Sequence, residues 1–249
     1  MIESFIEPAI LVLVYMTFGY ILSLILKDNS IADVMWGLGF ILIAYFTLIR
    51  TDLYTTGQIL VTGLVTIWGV RLSLHIWARK RGEDPRYKKW RKEWKFFKIR
   101  SFLQVWMLQG LFMLLIATSI IFVNTSTIEI TEIFMYSGAL VWLIGFLFEA
   151  IGDAQLKEFL ARKRRKKLMT EGLWKYTRHP NYFGEAVQWW GIFIIAASTT
   201  LWAIISPLVI TFLLRFVSGV PLTEKRFEKR EGWDEYKKKT NAFIPWFPR

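Results

Sequence analysis

Read as apolar and polar positions, the chain is a succession of long apolar runs separated by short polar stretches. The runs are predicted at Phe5–Leu26, Ile31–Ile49, Gln58–Trp77, Phe102–Val123, Ile133–Ile151, Tyr182–Ala197 and Leu201–Val217. Each is near the roughly 20 residues a helix needs to cross a bilayer. No strand pattern and no Gly-x-Gly-x-x-Gly after a strand is present, which excludes a Rossmann domain. The pattern predicts an all-α polytopic membrane protein: one domain over residues 1–249 with seven transmembrane helices. The last two runs are short, and Ser198-Thr199-Thr200 between them predicts a helical hairpin. Phe5–Leu26 has no basic segment before it and no small-residue cleavage site after it, so it is expected to be a retained span rather than a signal peptide.

Composition alone, 54% hydrophobic and 17% aromatic over 249 residues, suits a large domain as well as a bundle of spans, and the run lengths decide for the bundle. The net charge of +12 changes the picture through its distribution. Lys and Arg crowd into 79–100, 157–178 and 225–249, while 51–57 and 124–132 contain none. Such blocks argue against nucleic acid as a partner. They follow the third, fifth and seventh runs, so all fall on one side, which the positive-inside rule makes cytoplasmic. The N-terminus is then outside, the C-terminus cytoplasmic, and a ligand cavity is expected to open to the cytoplasm. There is no cysteine, and the two histidines are too few for a His-rich site, so no metal is expected.

Polar residues inside or beside the runs carry the candidate chemistry. Asp33 stands at the start of the second run, where a carboxylate should face the bundle interior or a wet cavity, or else cap the helix. Trp68, Arg71 and His75 share one face of the third run, and Arg71 needs an anion: Asp33 in a structural pair, a cofactor phosphate, or a lipid headgroup. Lys88–Arg100 interleaves Trp90, Trp94, Phe96 and Phe97 with cations, the composition of a segment lying on an anionic membrane surface. Glu149 and Asp153, four apart, share a face at the end of the fifth run, able to accept from ribose hydroxyls or an amide, or to pair with Arg162 or Arg178.

The densest polar stretch is Gly172 to Glu185, which gathers Tyr176, Arg178, His179, Asn181 and Glu185 after the cationic run Arg162–Lys167. Pro180 predicts a helix start, which places Arg178 and His179 at its electropositive mouth and suits an anion there, or else forms a charged flank that only fixes topology. Asn181 and Glu185, four apart, then share a face on which an amide and a carboxylate could bracket a nicotinamide carboxamide. After residue 217, Glu224 and Tyr236 are candidate ligand contacts in a C-terminal lid.

The run Gly-Leu-Trp-Lys-Tyr-Thr-Arg-His-Pro-Asn-Tyr-Phe-Gly-Glu at 172–185 resembles the C-terminal signature of the steroid 5α-reductase-like family, in a bacterial branch, which implies a bacterial inner membrane. Its Arg-His-Pro-x-Tyr core also resembles the isoprenylcysteine and phospholipid methyltransferases. The first family implies NADPH and reduction, by hydride transfer, of a C=C bond conjugated to a carbonyl in a steroid-like or other lipid. The second implies S-adenosylmethionine and methyl transfer. Agreement beyond the core, at Asp153, Asn181, Gly184-Glu185, the Arg71–Arg81 segment and the terminal Ile244-Pro245, favours the reductase. The resemblance implies a dinucleotide contact at Asp153 and at Arg81 in Arg81-Gly82, with Glu83 where the family has a second Arg. For catalysis it implies an acid on the second span, here Asp33, and a tyrosine on the third, where Trp68 stands. An indole N–H can donate a hydrogen bond but cannot pass on a proton.

Overall fold

A computed structural model describes residues 3–162 and 168–249; residues 163–167, most of the predicted cationic run, lie outside the described residues. The described residues are helical, with one isolated bridge between Thr177 and Asn241 and no strand. The fold divides into two compact units, one formed by residues up to Met135 with Ile195–Ile205, the other by Tyr136–Ile194 with Ser206–Arg249.

The first unit opens with α1 (Glu3–Leu26), α2 (Ile31–Thr51) and α3 (Thr56–Arg79). A capping box starts α3: Thr55 and Gln58 exchange side-chain bonds with each other's backbone N–H. α2 and α3 meet at Gly37 and Gly69, where an added Cβ would lie 2.6 and 2.7 Å from the opposite glycine's carbonyl oxygen. Small residues thus let two membrane helices touch backbone to backbone. Trp36, Phe40 and Trp68 stack edge to face across this contact. A short surface helix, α4 (Pro85–Glu93), begins on an Asp84 N-cap with proline in its first turn.

The span predicted at Phe102–Val123 is displaced and divided. α5 runs over Phe97–Ile116, π-helical at Ser101–Met107, and after Ala117 the chain continues as α6 (Thr118–Thr125). Asn124 at its end donates to Ala44 O, Thr47 Oγ1 and Thr62 Oγ1 at 2.9–3.3 Å, so a buried amide ties α6 to α2 and α3.

The second unit is built on α7 (Glu132–Ala161) and α8 (Pro180–Ala197), then α9 (Leu201–Lys225) and α10 (Trp233–Lys239). α9 starts as a 3₁₀ turn at Leu201–Ile204 and becomes π-helical at Leu213–Val217. α7 and α8 run antiparallel along a glycine seam. A Cβ on Gly184 would lie 2.4 Å from Glu149 N and 2.5 Å from Gly145 O, and one on Gly191 would lie 2.7 Å from Gly138 O. The glycines recur every seven residues, so contact is kept along the whole seam.

Among the described residues six helices, α1, α2, α3, α5, α7 and α9, are long and apolar enough to cross a membrane, so this is a multi-pass membrane protein. The sequence predicts seven. α8 forms with 18 residues, but Asn181, Glu185 and Gln188 at one-turn intervals keep it less apolar than the six.

Candidate active site

In the first unit the candidate acid is held by α4. Tyr87 donates its hydroxyl to Asp33 Oδ1 at 2.8 Å, and Arg86 Nη2 reaches Asp33 Oδ2 at 3.1 Å. Arg86 is itself fixed through Nε on Asp84 Oδ1 at 3.0 Å, the oxygen that also caps α4. Gln109 reaches the Tyr87 oxygen at 3.5 Å. Asp33 is therefore paired with Arg86, in the first turn of α4 just past the loop that follows α3.

Two further ion pairs anchor that loop: Lys80 to Asp28 at 2.5 Å and Arg91 to Glu83 at 2.7 Å. Glu83 also accepts from Asn29 N, and Ser30 Oγ from Asp84 N. Burial would push the Asp28 carboxyl up, but Lys80 and Ser30 together hold it below the usual range. Tyr87, only 3% exposed, is pushed well above its ordinary value by burial and then by the Asp33 charge. Trp68 is a core side chain, 2% exposed. Arg71 is half-buried on α3, and Arg81 is exposed beside Gly82, whose φ of +84° turns the loop.

A cavity of about 310 Å³ in this unit lies at the far end of α2 from Asp33, lined among others by Glu7, Thr47, Arg50 and Thr51. None of the predicted site residues lines it.

In the second unit, Arg178 and His179 are buried, 7% and 1% exposed, where the sequence predicts an open mouth. Arg178 donates through Nε and Nη2 to Glu224 Oε1 at 2.8 and 2.6 Å, and through Nη1 to Thr240 O and Lys237 O. Its backbone N–H bonds Asn241 O at 2.9 Å, and its guanidinium lies over Trp233. His179 Nε2 is 3.4 Å from the same Glu224 oxygen, with its ring stacked on Tyr182. Burial draws the imidazole below its ordinary value, against the pull of Glu224. Thr177 Oγ1 bonds Phe243 O, and Tyr236 donates to Trp174 O at 2.5 Å, so residues 224–246 are laced to the loop before α8.

The seam of α7 and α8 brings other predicted residues together. Asn181 donates to Asp153 Oδ1 at 3.2 Å, and Gln188 to Glu149 Oε2 at 2.6 Å. Among the described residues the buried Asn181 Oδ1 and Gln188 Oε1 have no donor. Asn181, Glu185 and Gln188 share one face of α8, as the spacing predicts for the first two. Arg162 is exposed and paired with Glu158 and Glu171, and Tyr176 stacks edge-on with Phe247.

The family model described as "Protein of unknown function (DUF1295)" matches residues 19–240. The chain belongs to this family. The bovine (Bos taurus) protein 3-oxo-5-alpha-steroid 4-dehydrogenase 1 is 31% identical over 111 residues, covering 43% of the chain and 41% of the bovine protein. Both findings agree with the resemblance to the steroid 5α-reductase-like family. What sequence reasoning missed in this DUF1295 member is the pairing of Arg86 and Tyr87 with Asp33. The signal was present as Asp84-Pro85, a cap and first-turn proline that set both residues at the start of a helix.

Proposed function

We propose that the protein is an NADPH-dependent reductase of a C=C bond conjugated to a carbonyl in a steroid-like or other lipid, spanning the membrane seven times with its N-terminus outside. The observation that carries the reading is the Tyr87–Asp33 hydrogen bond, because it sets a titratable hydroxyl against the acid where Trp68 supplies none. The likeness to the bovine steroid dehydrogenase supports the reaction class.

Asn181 and Asp153 fit the nicotinamide half of the cofactor. The lone acceptor on Asn181 Oδ1 suits a carboxamide N–H, and the adjacent carboxylate suits a ribose hydroxyl. NADPH supplies the hydride when bound. Asp33, whose side chain is 29% exposed, is the group that polarises the substrate carbonyl. Asp33 does this as the protonated acid: with Arg86 displaced from Oδ2 and still fixed through Asp84, the proton on Oδ2 is donated to the carbonyl oxygen, while Tyr87 holds the plane of the carboxyl from Oδ1. A donor aimed at that oxygen stabilises the negative charge that collects on it in the transition state.

Thermal unfolding of the detergent-solubilised protein with NADPH or with S-adenosylmethionine tests the cofactor. At about 100 times Kd the linkage is worth about 2.7 kcal/mol, and NADPH is expected to give the larger rise. Stabilisation by S-adenosylmethionine alone would replace the reductase with a methyltransferase.

A further inference from the structure

α4 presents two different faces. Tyr87, Trp90, Arg91 and Trp94 lie on one, buried or half-buried, with Trp90 and Trp94 stacked at 4.9 Å. Lys88 and Lys92, four apart, are exposed on the other, and Lys95 is exposed just beyond the helix end. The turn into α5 extends that face. Phe96 adopts the left-handed conformation, φ 57° and ψ 44°, which L side chains rarely take, and its ring is 69% exposed with Lys95 Nζ 5.4 Å from its centre. Ile99 is 62% exposed, and Lys98 and Arg100 flank it.

The cations of this segment divide cleanly. Arg86 and Arg91 are held by Asp33, Asp84 and Glu83, and Lys89 lies 3.8 Å from Glu93. Among the described residues no acid pairs with Lys88, Lys92, Lys95, Lys98 or Arg100. Five exposed cations interleaved with outward apolar side chains form a surface that water alone does not suit. The segment joins two helices of membrane-spanning character, α3 and α5, and Trp77 near the end of α3 is 66% exposed. That places it at the level of the headgroups, where aromatic rings enter the boundary and lysines meet phosphate.

We infer that the outward face of α4 and its turn into α5 is a docking surface for anionic phospholipid headgroups, with Phe96 and Ile99 entering the acyl boundary and the five cations selecting negative lipid. The chain has no cysteine, so Phe96→Cys gives a single site for an environment-sensitive fluorophore. The labelled protein is placed in nanodiscs of phosphatidylcholine with an equal share of phosphatidylglycerol, and spin-labelled versions of each lipid are compared as quenchers. The phosphatidylglycerol quencher is expected to act about twofold or more strongly, and Lys88, Lys92, Lys95 and Lys98 changed together to Gln should bring the two level. Salt at about 0.5 M should also reduce the difference. Equal quenching by both lipids in the unsubstituted surface would overturn the selectivity, and emission typical of water with neither lipid quenching would overturn the docking surface itself. Ile99→Cys gives an independent label should Phe96→Cys fold poorly. The readout is lipid contact, so it stands whatever the reaction is.

Discussion

Asp33→Asn keeps the shape of the side chain and removes the charge that Arg86 meets. If Asp33 polarises a substrate carbonyl, the variant should bind NADPH with near-parent affinity and lose turnover of an enone, and Tyr87→Phe should reduce turnover in the same assay. If the pair is only structural, both variants retain turnover and Asp33→Asn loses stability instead, by about 1–3 kcal/mol, since neither partner is deeply buried. His179 makes a pH prediction. Its value is depressed from 6.5 by burial, so below that pH the unfolded chain binds a proton that the folded chain refuses. Stability should be flat above about pH 7 and fall as pH drops through 6.5 towards the folded value, and His179→Gln should flatten the fall in thermal unfolding between about pH 8 and pH 5. At this scale the sequence marked Asp33, Asn181 and His179 through residue type and position. It could not show which cation meets Asp33, because Arg86 reaches the acid across 53 residues of chain.

Elements are most exacting where two backbones touch. Gly184→Ala would put a methyl 2.4 Å from Glu149 N and 2.5 Å from Gly145 O, both backbone atoms with no rotamer to retreat into. The helices must separate, at about 1–3 kcal/mol or more. Gly63→Ala in α3 meets nothing within 4 Å and should be neutral or slightly stabilising through helix propensity, which makes it the matched control in the same denaturation assay. Runs of apolar residues disclosed most helices to within a few positions because their length is set by the bilayer. The break at Ala117 and the π-helical stretches were hidden, since they change hydrogen bonding without changing composition. α8 was visible through Pro180, yet its polar face keeps it less apolar than the six candidate spans.

For the whole molecule, that difference becomes a count of crossings. With α8 spanning, a reporter fused at Arg249 should read cytoplasmic and one at Met1 external. Both ends on one side would mean that α8 does not cross. The blocks of charge were legible from the sequence alone; what Arg178 does with its own charge was not, because its partners lie 46 to 62 residues further along. Replacing Arg178 by Met leaves Glu224 and two carbonyls without their donor and should cost about 3–5 kcal/mol. The same separation acts during synthesis. At about 5–20 residues per second, Glu224 is made roughly 2–10 s after Arg178, and Thr240 later still. For that interval the guanidinium lacks Glu224 and the Thr240 carbonyl, while α8 and α9 are being made. The second unit therefore closes late, and a ribosome stalled before residue 224 leaves a cation on display that a finished chain conceals, a difference by which a quality-control protease could tell one from the other.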